Sequence, residues 1–87
     1  MKKKTEEYVI PLQNANLVLI KADRGYIMCG LLNIESAERL GQAACMVTGV
    51  KTAEDALKAQ VKACTTAAKQ VGIKEGMTGQ QALEFLN

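Results

Sequence analysis

The chain has 87 residues, 11 basic and 9 acidic side chains for a formal net charge of +2, and no aromatics beyond Tyr8, Tyr26 and Phe85. That length allows one domain, residues 1–87, and the interspersed charge offers neither the basic face nor the aromatic platforms that nucleic-acid binding uses. No stretch approaches the roughly 20 apolar residues of a membrane span, and the absence of histidine removes a Ser-His-Asp triad, a Cys-His pair and histidine-ligated metal within one chain.

Lys2-Lys3-Lys4 is the one basic block, and Glu6-Glu7 follow it at once. A secretory signal would need an apolar core there, so none is read. Residues 1–5 are expected to be disordered. Tyr8-Val9-Ile10-Pro11-Leu12 holds strand formers, but Pro11 cannot donate a ladder hydrogen bond, which predicts a short edge strand. Residues 13–16 form a turn by composition.

Leu17 to Ala22 is a near-continuous apolar run, rich in β-formers and short for a helix. Asp23-Arg24-Gly25 follows as a loop, with Gly25 placed for a left-handed conformation. Tyr26-Ile27-Met28-Cys29-Gly30-Leu31 then runs back, which predicts an antiparallel hairpin. Both runs are apolar on both faces, so each face needs a cover: helices on one side and a second subunit on the other. Gly30 after Cys29 in a central strand suggests a bulge or a close approach of backbone or ligand, and Gly30→Val is expected to disrupt folding or assembly.

Asn33 caps a short helix from Ile34 to Leu40, and Gly41 ends it. Ala43 to Thr48 is a fourth strand, closed by Gly49. Thr52 opens the next helix, with Asp55 in capping-box position. Leu57, Val61, Cys64, Ala68 and Val71 then fall on one narrow stripe. This is read either as one helix from Thr52 to Val71 or as two pieces broken near Ala59-Gln60. Gly72 and Ile73 fit a Schellman C-cap. Thr78 and Gln81 form a second capping box, starting a last helix through Leu86. The element order predicts an α+β domain: a four-stranded, largely antiparallel or mixed sheet with a short helix and C-terminal helices packed on it.

Three runs resemble, in order, those of YunC-like proteins, small bacterial and archaeal proteins grouped as a domain of unknown function. They are Gly25-Tyr26-Ile27-Met28-Cys29-Gly30, then Gly49-Val50-Lys51-Thr52, then Gly72-Ile73 with Gly76-Met77-Thr78-Gly79 and Ala82-Leu83. The resemblance spans roughly Asn14 to the C-terminus. One departure is Gln60, near which a relative has a proline that would split the long helix. The resemblance implies an α+β fold. It implies no activity, so it assigns no catalytic residue.

The residues themselves offer two candidate sites. Cys29 is the first: a thiol attacks as its thiolate, which needs a nearby cation or free amides, and Lys51, Arg24 or Asp23 are its possible partners. The competing reading is a small buried hydrophobe. Cys45 and Cys64 read as core filling. The odd number of cysteines, without an export signal, predicts free thiols in a reducing cytoplasm. Their spacing matches no zinc motif, and no metal or cofactor is expected. The second candidate is the turn Gly49, Val50, Lys51 and Thr52, where strand end, glycine, cation and helix start coincide and could hold a small anion. Gly30 joins it as a neighbour if the third and fourth strands are adjacent. The glycines of 72, 76 and 79 lack the strand context of a dinucleotide loop.

An alanine-rich core in so short a chain buries little apolar surface, so a homo-oligomer is expected. Three functional classes follow: a homo-oligomeric cytoplasmic domain binding a small molecule or anion, a small enzyme using Cys29, and a structural subunit of a larger assembly.

Overall fold

Strands β2 (Asn16–Lys21) and β3 (Gly25–Cys29) form the expected antiparallel hairpin in the computed structural model, which describes residues 5–87. Leu19 faces Met28 and Ile20 faces Ile27. Strand β1 (Glu6–Pro11) adds to the outer side of β2, with Tyr8 opposite Leu19 and Ile10 opposite Leu17. It is an edge strand, and Pro11 is its last residue. The disorder expected for residues 1–5 falls outside the described residues except at Thr5, whose hydroxyl donates to the Asn87 carboxamide at 3.1 Å.

Helix α1 (Ile34–Arg39) crosses from β3 to β4 (Ala43–Val47), and such a crossover lets two strands run parallel. Strand β4 lies parallel to β3, with Ile27 beside Cys45 and Cys29 beside Val47. Helix α2 (Ala53–Lys58), strand β5 (Ala63–Cys64), helix α3 (Thr66–Gln70) and helix α4 (Gly79–Leu86) complete the chain. The sheet order is β1-β2-β3-β4-β5.

This is an α+β fold with a mixed sheet, but among the described residues it has five strands where the sequence predicts four. The stripe from Leu57 to Val71 belongs to three elements, not one helix. Ala59 leaves α2 with an extended backbone, φ −75° and ψ 155°. From there the chain bonds to other segments: Val61 N–H donates to Met77 C=O at 2.7 Å, Lys62 to Met46 at 2.8 Å and Thr65 to Ala44 at 3.0 Å. The open edge of β4 offers Met46 and Ala44, the loop before α4 offers Met77, and a helix through 60–65 would forgo them. The stripe residues still reach one core, because Val61 and Ala68 are buried and Cys64 packs against the same cluster.

That core lies on one face of the sheet. Val18, Ile20, Ile27, Cys45 and Val47 meet Ala53 and Ala56 of α2 and Ala82, Leu83 and Leu86 of α4. The small residues let backbones touch. A Cβ on Gly79 would stand 2.1 Å from the Ala56 carbonyl oxygen, so α4 packs directly on the main chain of α2. The opposite face is thinner: Met28, Ala44 and Ala37 of α1, with Leu19, Tyr26 and Met46 partly covered.

Several local signals act as expected. Asn33 Oδ1 accepts from the amides of Glu35 and Ser36. The Thr78–Gln81 capping box closes in both directions. Gly72 takes φ 114°, and the paired bonds Ile73 N–H to Ala68 C=O and Gly72 N–H to Lys69 C=O make the Schellman turn. Gly25 differs from expectation. It is the first residue of β3 and has no left-handed backbone. Space demands the glycine instead, because a Cβ there would lie 2.0 Å from the Ala43 carbonyl oxygen.

Candidate functional site

Parallel strands β3 and β4 end side by side, and their carboxyl ends open a pocket of about 220 Å³. Cys29 and Gly30 line one wall, Thr48, Gly49 and Val50 another, and Asn16 the mouth. Four of the sequence candidates thus meet. The side chains of Lys51 and Thr52 are not part of the lining.

The helix end beside this pocket is already occupied. Thr52 Oγ1 accepts from the Asp55 amide at 3.1 Å. The Asp55 carboxylate accepts from the Lys51 amide at 3.2 Å, one residue before the position a capping box would use. Asn16 Nδ2 donates to the Lys51 carbonyl at 2.8 Å. Gly49 turns with φ 71° and has open space around it. A carboxylate therefore sits where an incoming anion would need the amide, which argues against an anion at Gly49–Thr52.

Cys29 is 4 % exposed. Strand β3 leaves the ladder there: the Cys29 carbonyl accepts from Leu32 N–H at 3.2 Å, across a turn. The Val18 amide on β2 then donates to Cys29 Sγ at 3.3 Å. The thiol supplies an acceptor that the departing strand no longer provides. Arg24 and Asp23 lie at the other end of β3, about 16 Å away at strand spacing, so neither is the partner that the sequence offered for this thiol. Gly30 lies beyond the strand, exposed, and a Cβ there would touch only the Thr48 methyl at 3.3 Å. It marks neither a bulge nor a close backbone approach.

A wider pocket, about 490 Å³, opens at the opposite end of the sheet. It lies where the β2–β3 turn meets the entry to β4 and the α3 helix. Its floor is apolar: Ala22, Ala43, Ala67 and Val71. Its rim carries Lys21, Asp23, Arg24, Tyr26, Gln42 and Gln70. The turn that presents Arg24 is held by the bonds Ala22 N–H to Gly25 C=O and Arg24 N–H to Leu86 C=O, each 2.8 Å. The Tyr26 hydroxyl donates to Gln42 Oε1, which leaves the Gln42 amino group free to donate. A phenol is a donor at neutral pH, and burial raises that of Tyr26 above its ordinary range. Lys21 pairs with Glu6 at 3.6 Å across exposed side chains.

One buried polar side chain ties this pocket to the sheet. Thr65 Oγ1 donates to the Gln42 carbonyl at 2.6 Å and accepts from the amides of Ala44 at 3.0 Å and Ala68 at 3.3 Å. It fixes the entry of β4, the end of β5 and the start of α3 together. No local run of residues marks this pocket in the sequence. The signal was the strand-helix-strand order around α1, which calls for parallel strands and so brings the turn before β3 beside the turn before β4.

No helix among the described residues is long and apolar enough to cross a membrane. A family model described as a domain of unknown function, DUF1805, matches residues 28–86. The uncharacterized protein YunC of Bacillus subtilis (strain 168) is 37% identical over 78 residues, covering 85% of this chain and 77% of that protein. The crystal structure of TA1206, a protein of unknown function from Thermoplasma acidophilum, is similar with a TM-score of 0.84 and 33% identity, over 99% of this chain and 94% of that one.

Proposed function

The chain belongs to the DUF1805 family of YunC-like domains, and on that footing we propose that it is a self-associating domain that binds a small anionic molecule. The observation that carries the binding is the rim of the wider pocket. Arg24, on a turn held at both ends, stands with the Gln42 and Gln70 amides over a floor of alanine and valine. Charge-assisted donors above an apolar floor suit a small carboxylate or phosphate ester with a short hydrocarbon part. Asp23 at the same rim weighs against polyanions such as a polyphosphate chain.

The test is an amide-resolved NMR titration with inorganic phosphate and with a short dicarboxylate. Arg24, Tyr26 and Gln42 are expected to shift together, and Arg24→Ala to abolish the response. Shifts confined to residues 49–52, or none at millimolar probe, would place the reading in error.

Self-association rests on β1. All six of its residues are exposed on both faces, Tyr8, Val9 and Ile10 among them, with Leu12 just beyond. Ordering a strand costs about 1–2 kcal/mol per residue in backbone entropy, and this one buries little in return. Among the described residues its outer edge is unpaired, and Tyr8, opposite Leu19, continues the thinly covered second face. A second copy covers both features. Light scattering is expected to give a multiple of 9.4 kDa at micromolar concentration, and Ile10→Lys to reduce it to one chain. A wild-type mass of one chain would overturn self-association and leave the pocket reading standing.

A further inference from the structure

Cys45 and Cys64 face each other across β4 and β5 as directly opposed antiparallel partners. The type of pair follows from its neighbour. Thr65 N–H donates to Ala44 C=O at 3.0 Å, and Ala44 N–H turns to Thr65 Oγ1, so Ala44 and Thr65 stand at a hydrogen-bonded position of the ladder. Pairs alternate along an antiparallel ladder, which makes Cys45 and Cys64 a non-hydrogen-bonded pair. In such pairs the Cα atoms lie about 4.5 Å apart and the side chains point the same way. Disulfides span Cα separations of about 4.4–6.8 Å. The backbone is therefore already within the range that a bridge requires. Both thiols are free, with Cys45 buried and Cys64 partly exposed.

We propose that Cys45 and Cys64 are a redox modification site, closing to a cross-strand disulfide by exchange with a low-molecular-weight disulfide such as oxidised glutathione. The exposed partner reacts first. Cys64 gives up its proton, and its sulfur attacks one sulfur of glutathione disulfide, expelling one glutathione thiolate. Cys45 gives up its proton and attacks Cys64 Sγ, expelling the second. The protein's two thiols lose two electrons and two protons, and one glutathione disulfide becomes two glutathione thiols.

The surroundings set the pace and the partner. Burial, and then the neighbouring Cys64, push the Cys45 thiol up to about 12. Burial also raises Cys64, with Lys69 opposing. These are slow thiols, unlike the low-pKa thiols of catalysts. Cys29 is no competitor: it stands beside Val47, while Cys45 stands beside Ile27. The bridge would close the loop from residue 45 to residue 64 and tie β5 to β4. Helix α3 follows directly, and its Ala67 and Gln70, with Val71 at its C-cap, wall the wider pocket. Oxidation thus pins one wall of that pocket, whether or not a ligand binds there.

The experiment incubates the folded wild-type chain with oxidised glutathione in mildly alkaline buffer. Intact mass and peptide mapping follow, with Cys64→Ser as the control. The expected product has lost two hydrogens, links the peptides of Cys45 and Cys64, and melts on the order of 10 °C higher than the reduced chain. The control is expected to keep its mass. A stable glutathione adduct on Cys64, a bridge to Cys29, linkage only in denaturant, or a linked product that melts no higher than the reduced chain would each overturn the proposal.

Discussion

Val18 and Cys29 are joined by an amide donating to a thiol, Val18 N–H to Cys29 Sγ at 3.3 Å, at the point where β3 turns away from β2. The sulfur satisfies a buried donor that would otherwise lose its partner. A buried amide left without an acceptor costs about 1–3 kcal/mol. Cys29→Ala is therefore expected to destabilise the fold by about that amount in urea with an unchanged m-value. Cys29→Ser, which keeps an acceptor, should recover part of the loss. In the native state Cys29 should resist alkylation, and rapid labelling at neutral pH would restore the reactive-thiol reading.

Gly25 and Gly30 bracket the same strand but should respond oppositely to substitution. A Cβ on Gly25 collides with the Ala43 main chain at 2.0 Å, and no side-chain movement relieves it. Gly25→Ala must push β3 from β4, at a cost of more than about 3 kcal/mol. A Cβ on Gly30 meets only the Thr48 methyl, on the surface. Gly30→Val should cost less than about 1 kcal/mol and leave the oligomeric state unchanged. Thermal melts of the two variants check this, and equal losses would contradict it.

Thr65 is a second point where one atom serves three elements. Its hydroxyl is the partner of the Ala44 and Ala68 amides and of the Gln42 carbonyl. Thr65→Val keeps the shape and removes all three bonds. The expected loss is about 2–4 kcal/mol, with the fastest-exchanging new amide at Ala44. Hydrogen exchange distinguishes this local effect from global loosening.

Glu38 joins helix α1 to the start of α3, its carboxylate accepting from Thr66 N–H at 2.8 Å. That main-chain bond, with the Thr66 side chain, holds Glu38 below its ordinary range. A carboxyl lowered in the folded state binds protons more readily unfolded. Its contribution is present above the unfolded value, about 4.3, and is lost as pH falls through the lowered folded value. Melting temperature should therefore fall more steeply on acidification in the wild type than in Glu38→Gln. Parallel acid profiles for the two would show that the bond does not matter in solution.

Features legible in the sequence are those that close within a few residues. The Asn33 cap, the Thr78–Gln81 box and the Gly72–Ile73 turn each join groups at most a handful of positions apart, and the β2–β3 hairpin grows outward from a turn as short. Residue chemistry and spacing decide such contacts before the chain folds. The three-strand, helix, strand order and the apolar faces came from the same local patterns.

The tertiary structure decided what depends on distant partners. Ala63-Cys64 has no strand preference of its own, and it became β5 because the edge of β4 offered hydrogen bonds. Gly25 reads as a turn residue until Ala43 comes alongside it. Cys29 and Gly49 met as their strand ends suggested, yet Asp55 had already taken the Lys51 amide. The Arg24 pocket and the Cys45–Cys64 pair arise from parallel pairing and ladder register. Both are relations between segments, and a residue's own type and spacing carry no record of which segment will lie beside it.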